Sequence, residues 1–119
     1  MAEKEKLTDD LIKGLVRRIN ENAEKTKGWG KAIKLVFTDI AIAYWIKLSL
    51  DGTVETVDHG SISQLQTKEA VATLNMTTDT FAALLDGSVS PITTFLKGEI
   101  KIEGSIKALI KLASAFGVG

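Results

Sequence analysis

The sequence contains no cysteine, one histidine and one proline. Without cysteine the chain forms no disulfide, has no thiolate nucleophile and offers no sulfur ligand to a metal. A single histidine leaves mainly carboxylates as metal ligands, and their spacing does not match a calcium-binding loop. The composition therefore excludes thiol chemistry and gives little support to a metal site or a cofactor.

The chain also lacks an excess of either charge, since 15 Lys and Arg stand against 15 Asp and Glu. A nucleic-acid-binding domain needs a basic surplus on one face, so we expect no nucleic-acid partner. No apolar run reaches the ~18 residues that a membrane span requires. The N-terminal stretch MAEKEKLTDD is charged and has no apolar signal core, so we expect that the chain is not secreted.

The length and composition of the chain suit one domain over residues 1–119. Domains cluster near a length of 119 residues, and 45% of these residues are hydrophobic. Apolar residues recur at helical spacing after Thr8, which predicts a first helix capped by that threonine and ended by Gly28. Alternating runs over 31–39, 40–50 and 53–60 predict three antiparallel strands. The Asp-Gly pair between the last two is a strong signal of a tight turn.

The second half of the chain predicts shorter elements. A fourth strand over 70–76 precedes a helix that Thr78 caps, and a second short helix covers 90–98. A fifth strand over 99–103 leads into a last helix. The order α-β-β-β-β-α-α-β-α predicts an α+β fold with a five-stranded, mostly antiparallel sheet covered by about four helices.

The last helix carries more apolar surface than a surface helix needs. On a helical wheel, the apolar residues of 106–116 cover an arc of about 220°, whereas an ordinary amphipathic stripe is somewhat over ~100° wide. Three partners fit this surplus: a larger core of the same domain, a second subunit, or a lipid-like ligand held between the helices and the sheet. The wheel alone does not choose among them.

Candidate catalytic residues are few. His59 lies beside Asp58 at a strand end, and Ser61 is near in sequence, but no nucleophile-elbow pattern surrounds it. We therefore expect a solvated histidine. The lysines near the C-terminus have two interpretations. They are solubilising residues at the edge of the sheet, or they form a basic rim that binds a carboxylate or phosphate headgroup.

The stretch TLNMTTDTFAALLDGSVSPITTFLKGEIKIEGSIKALIKLASAF, residues 73–116, resembles the sterol carrier protein type two family of small intracellular lipid-binding domains. The resemblance rests on an acidic-aromatic helix start, a proline-containing helix that ends in Phe-x-x-Gly, and an Ile-Lys-Ile-x-Gly strand. Those residues are Asp79, Phe81, Pro91, Phe95, Gly98, Ile100, Lys101, Ile102 and Gly104. The hairpin IKLSLDGTVETVDHG fits the family's strands more loosely.

The resemblance implies a carrier that holds a fatty acid, fatty acyl-CoA, sterol or phospholipid without covalent chemistry and without a cofactor. It implies an apolar tunnel between the sheet and the C-terminal helices. The residues that we expect to line it are Phe81, Leu84, Leu85, Ile92, Phe95, Leu96, Ile102, Ile106, Leu109, Ile110, Ala113 and Phe116, with Trp45 as a further member.

The expected partners are a lipid or fatty-acyl ligand and, transiently, a membrane surface, for a monomer or weak homodimer. The sequence ends in FGVG rather than a peroxisomal Ser-Lys-Leu signal, so the expected location is the cytoplasm. Two alternatives stay open. One is a dimerisation or partner-recruitment domain that buries the last helix in an interface, and the other is an acyl-thioester hydrolase that uses His59.

Overall fold

A computed structural model describes residues 2–115, and within that range the predicted order of elements is confirmed, with one additional single-turn helix. The elements are α1 (Ala2–Glu21), α2 (Ala23–Thr26), β1 (Ala32–Phe37), β2 (Ile42–Leu48), β3 (Val54–Ser61), β4 (Ala72–Met76), α3 (Thr78–Asp86), α4 (Pro91–Leu96), β5 (Lys101–Gly104) and α5 (Ile106–Ala115). The additional helix is α2, which follows α1 almost directly.

The five strands form one sheet in the order β3-β2-β1-β4-β5. The pairs β1–β2, β2–β3 and β4–β5 are antiparallel, whereas β1 and β4 are parallel. The sheet is therefore mixed and mostly antiparallel, as predicted. The parallel pair arises because the chain leaves β3 at one edge and crosses β2 and β1 before it enters β4.

The two faces of the sheet have different coverings. Side chains alternate along each strand, so Ile33, Leu35 and Phe37 point to one face, where α1, α3 and α5 bury them; we call it the inner face. On the outer face, Leu65 of the crossing segment packs against Val36 and Ala43. The main core therefore lies between the sheet and the helices, and only a small cluster lies outside.

Both threonines that the sequence predicted as helix caps lie inside their helices. Because α1 begins at Ala2, the Thr8 hydroxyl donates to the carbonyl oxygen of Lys4 at 2.8 Å. The cap of α3 is Thr77, whose hydroxyl oxygen accepts from the Thr80 N–H at 3.2 Å. Thr77 has extended backbone angles, as a capping residue requires, and composition alone does not separate it from Thr78.

A polar network joins α1, the β1–β2 turn and α3. One carboxylate oxygen of Asp39 accepts from the Thr78 N–H at 3.0 Å, and the other lies 3.1 Å from the Lys4 ammonium nitrogen. The Thr78 hydroxyl is 2.9 Å from that of Thr8. Burial opposes ionisation of Asp39, but the hydrogen bonds from Thr78 and Lys4 outweigh it and lower the pKa of this carboxyl.

We expect Asp39→Asn to lower the free energy of unfolding by about 1 kcal/mol at neutral pH, because it removes a charge-assisted hydrogen bond from a carboxylate whose side chain is 18% exposed. A carboxyl with a lowered folded-state pKa stabilises the fold above its unfolded pKa of about 3.9, and this contribution is lost as the pH falls through the folded pKa. The deficit of the variant should therefore shrink in acid.

Urea denaturation of both proteins from neutral to strongly acidic pH measures this difference. Asp58→Asn is the control, since Asp58 forms a solvent-exposed pair with Lys68 at 3.3 Å, and exposed pairs contribute ~1 kcal/mol or less. A deficit of the Asp39 variant that stays constant with pH would show that the ionised carboxylate is not the stabilising species.

Candidate functional site

The inner face of the sheet carries a continuous apolar layer under the C-terminal half of the chain. Leu74 of β4 and Ile102 of β5 are direct cross-strand partners. Phe81 and Leu109 lie in the same apolar cluster from the helix side and are fully buried. The Phe81 ring lies 5.2 Å from the Phe37 ring, centroid to centroid. This layer occupies the position that the resemblance assigns to a lipid tunnel.

Helix α3 supplies three side chains to this layer because its apolar residues have helical spacing. Phe81, Leu84 and Leu85 are all buried and share one side of the helix. The Thr77 cap sets where the helix begins. Gly87, with φ of 81°, ends it and donates its N–H to the Leu84 carbonyl oxygen. The two ends thus hold the three side chains against the sheet.

Helix α4 contributes less to the layer than the sequence predicted. The Ser90 hydroxyl caps it and Pro91 is its first residue, so Pro91 and Thr94 form the buried side. The Thr94 hydroxyl donates to the Ser90 carbonyl oxygen at 2.6 Å, which allows a polar side chain to be buried there. Ile92 and Leu96 therefore lie on the exposed side.

Helix α5 divides its apolar surface between the layer and solvent. Gly104, with φ of 93°, turns the chain out of β5, and the Ser105 N–H donates to the Val71 carbonyl oxygen at 2.9 Å. Leu109 and Leu112 are buried, while Ile106 and Ile110 are exposed. Within the described residues, part of the surplus apolar arc thus faces water.

The residues predicted to line a tunnel differ in burial and in position. Four are buried in the layer, namely Phe81, Leu84, Leu85 and Leu109, and three are half-buried, namely Phe95, Ile102 and Ala113. Four are exposed, namely Ile92, Leu96, Ile106 and Ile110. Phe116 lies outside the described residues. Seven of the predicted positions are thus buried or half-buried, and their role in lining a tunnel stays a prediction.

Trp45, the remaining predicted member, lies on the outer face, because it is one residue from Tyr44 and strand side chains alternate. Its indole N–H donates to the Glu69 carbonyl oxygen at 2.8 Å, and the Lys68 ammonium lies 4.4 Å from the ring centroid. Trp45 therefore lies on the opposite face of the sheet from Phe81 and Leu109.

Two layer residues escaped the sequence-based list. Ile100 and Leu112 are both buried in the same cluster. Leu112 follows Leu109 by three positions, so helical spacing was a sufficient signal for it. Ile100 precedes Ile102 by two positions in the strand predicted over 99–103, so strand alternation was a sufficient signal for it.

The geometry around His59 does not support a nucleophile and base pair. The imidazole ring stacks on the Tyr44 ring with centroids 5.3 Å apart. The hydroxyls of Ser61 and Ser63 lie 3.2 Å apart, and Ser61 also accepts from the Gln64 N–H. Within residues 2–115 there is also no group of three or more acidic or histidine side chains that could hold a metal ion.

Open grooves lie away from the apolar layer. Two of them, of about 690 and 740 Å³, are on the outer face and are lined by polar side chains such as Lys34, Thr73 and Asn75 together with a few apolar ones. A smaller one of about 280 Å³ lies between α1 and β3. Among the described residues, no helix is both long and apolar enough to cross a membrane.

Solved structures with this fold include sterol carrier proteins. A sterol carrier protein 2 is 20% identical, with a TM-score of 0.65 and coverage of 89% of this chain and 87% of that chain. Sterol Carrier Protein 2 Like 2 from Aedes aegypti is 13% identical, with a TM-score of 0.68 and coverage of 92% and 96%.

A part of a larger enzyme also has this fold. The sec-alkylsulfatase Pisa1 from Pseudomonas sp. is 24% identical over 82% of this chain, with a TM-score of 0.64, but the matched region is only 14% of the sulfatase. A comparison with curated protein sequences finds no match. The profile of the SCP-2 sterol transfer family matches residues 12–117. With nearly the whole chain matched, this protein belongs to the SCP-2 sterol transfer family.

Proposed function

We propose that residues 1–119 act as one non-catalytic domain that binds a lipid with an acyl chain or a sterol skeleton and transfers it between membranes in the cytoplasm. Membership of a family of lipid carriers supports lipid binding or transfer in general. The observation that carries the proposal is the continuous apolar layer between the sheet and helices α3 and α5.

The proposed ligand lies in this layer, in contact with the buried and half-buried members of the predicted set. Those residues are Phe81, Leu84, Leu85, Phe95, Ile102, Leu109 and Ala113. The four exposed aliphatic residues of α4 and α5 are not part of the proposed binding layer. Phe116 stays a predicted member.

The energetics of α5 are compatible with ligand entry. Its fully buried side chains are Ala108, Leu109 and Leu112. Burial of a leucine contributes roughly 1.5–3 kcal/mol, whereas an acyl chain gains ~0.8 kcal/mol for each methylene removed from water. About ten methylenes therefore offset the contacts that α5 would give up if it moved to admit the chain.

A fluorescent fatty acid tests the proposal. We expect saturable binding to one site by the wild-type protein, and an affinity lowered by about tenfold or more in Leu109→Gln, because an amide in the layer is desolvated without a partner. The matched control is Leu65→Gln, since Leu65 is a buried leucine on the outer face.

Circular dichroism establishes that both variants fold, and Ile102→Gln, at a half-buried position of the layer, replaces Leu109→Gln if that variant is unfolded. Absence of saturable binding by the wild-type protein would refute the carrier function. Equal losses in the Leu109 and Leu65 variants would place the lipid elsewhere.

The alternative function is a dimerisation or partner-recruitment domain, which the exposed aliphatic residues of α5 favour. Analytical ultracentrifugation over a range of concentrations distinguishes the two functions. A carrier is expected to remain a monomer with bound lipid, whereas an interface domain is expected to form a dimer that polar substitutions on α5 dissociate.

A further inference from the structure

We propose that the outward sides of α4 and α5 dock this protein onto an anionic membrane surface. We call the four exposed aliphatic residues of these helices, Ile92, Leu96, Ile106 and Ile110, the α4–α5 patch. The inference names a membrane partner for the proposed carrier and in that respect rests on the proposed function. The docking surface itself is inferred from the exposure and the charge of these two helices.

The exposure of the α4–α5 patch is concentrated in a small part of the chain. Among the described residues, eight large apolar side chains are exposed, and four of them lie on these helices of six and ten residues. Leu96 is 77% exposed and Ile110 is 58% exposed. The other four are scattered over α1, β3 and two loops.

Each helix presents its two exposed residues four positions apart, so they form a stripe along one side. The two helices contact each other. Clustered exposed aliphatic side chains on adjoining elements are typical of an interaction surface, whereas single ones are ordinary. Because Leu109 and Leu112 on the opposite side of α5 are already buried in the core, this stripe is not needed to hold the helix on the sheet.

The charge of these helices has one sign. Lys97 ends α4, Lys107 and Lys111 lie on α5, and neither helix contains an Asp or Glu. The whole chain has 15 basic and 15 acidic residues, so the rest of the sequence has three more acidic than basic residues. Two carboxylates lie between the two helices in the sequence, Glu99 in the connection to β5 and Glu103 in β5 itself.

The three lysines are available to an external anion. The ion pairs among the described residues involve Lys4, Lys13, Lys47 and Lys68, and none involves the lysines of α4 and α5. On α5, each lysine follows one of the exposed isoleucines by one position, so a cationic row lies beside the apolar row.

This combination fits an anionic bilayer better than a second copy of the chain. Aliphatic side chains at the interface enter the acyl boundary, while nearby lysines are attracted by anionic headgroups. A symmetric dimer through the same surface would bring the lysines of one copy toward those of the other, and like charges repel. Docking would also place the proposed lipid layer, which α5 helps to cover, next to the bilayer.

Co-sedimentation with vesicles tests the inference. We expect the wild-type protein to bind equimolar phosphatidylcholine–phosphatidylglycerol vesicles, to bind pure phosphatidylcholine vesicles weakly, and to lose affinity as salt is raised. The double variant Leu96→Gln, Ile110→Gln should bind the mixed vesicles at least about tenfold more weakly. Lys107→Gln, Lys111→Gln should lose the preference for the anionic vesicles.

The controls are matched in exposure and residue type. Leu50 is 72% exposed and Ile62 is 43% exposed, so Leu50→Gln, Ile62→Gln removes similar aliphatic surface elsewhere. Lys6→Gln is the charge control on α1, where Leu7 is also exposed. These variants should bind vesicles as the wild-type protein does.

Three outcomes would overturn the inference. The first is equal vesicle binding by the patch and control variants. The second is equal binding of the wild-type protein to neutral and anionic vesicles. The third is a wild-type dimer that the patch substitutions convert to a monomer, which would identify a second copy as the occupant.

The fatty-acid titration separates docking from lipid binding. We expect Leu96→Gln, Ile110→Gln to keep the wild-type affinity for fluorescent fatty acid in the absence of vesicles and to transfer the fatty acid between vesicles more slowly. If the wild-type protein docks on vesicles but binds no fatty acid, the carrier function fails while the docking surface stands. If it binds fatty acid but does not dock on vesicles, the docking surface fails while the carrier function stands.

Discussion

Gly104→Ala is expected to lower the free energy of unfolding by at least about 3 kcal/mol. Gly104 has φ of +93°, a conformation that side chains with a Cβ rarely adopt. A Cβ at this position would lie 2.4 Å from the Val71 carbonyl oxygen and 3.2 Å from the Ala72 Cα, which are backbone atoms at the start of β4 and just before it. Relief of the contact therefore requires β5 to separate from β4.

Urea or thermal unfolding measures this loss, and Gly98→Ala is the matched control. Gly98 has φ of +80°, but a Cβ there would have no atom within 4 Å. The control therefore isolates the cost of the backbone conformation, about 1–2 kcal/mol. Similar losses in both variants would show that the close approach of Val71 does not constrain the start of α5.

Phe81→Ala is expected to lower the free energy of unfolding by about 3–5 kcal/mol, because it opens a cavity in a fully packed core. Phe81 is completely buried and lies against the Phe37 ring. The control is Phe95→Ala, which removes the same atoms from a half-buried position and should cost clearly less. Chemical denaturation with far-UV circular dichroism gives both values.

The Phe81→Ala variant also tests where the proposed ligand binds. If the proposed lipid lies beside Phe81, a fatty acid can occupy part of the new cavity, and a ligand that binds only the folded state raises the melting temperature. We expect a saturating fatty acid to raise the melting temperature of Phe81→Ala more than that of the wild-type protein. A rise of the same size in both would place the lipid away from α3.

Features that depend on neighbouring residues were predictable. The Asp51-Gly52 turn is one example: the Asp51 carboxylate accepts from the Ser49 hydroxyl at 2.6 Å and from the Thr53 N–H at 2.9 Å. These hydrogen bonds lower the pKa of Asp51 to about 2. All the groups involved lie within two residues of Asp51, so the sequence contains the whole turn.

Features that depend on distant contacts were not predictable in the same way. The parallel pairing of β1 with β4 requires residues 62–71 to cross the outer face, and Leu65 stabilises that crossing from a stretch that looks polar. Trp45 illustrates the same limit. Strand alternation predicts that Trp45 and Tyr44 lie on different faces of the sheet. Only the packing of α1, α3 and α5 shows which of the two faces is the inner one.

The sequence by itself determined the order of elements, the turns and the family, because helical spacing, strand alternation and turn residues are local properties. Tertiary structure alone decided how the apolar surface of the last helix is divided. Leu109 and Leu112 are buried in a cluster whose other members are mostly distant in sequence, whereas Ile106 and Ile110 project from the same helix into solvent. A helical wheel contains no information about these distant partners, so burial could be assigned only from the folded chain.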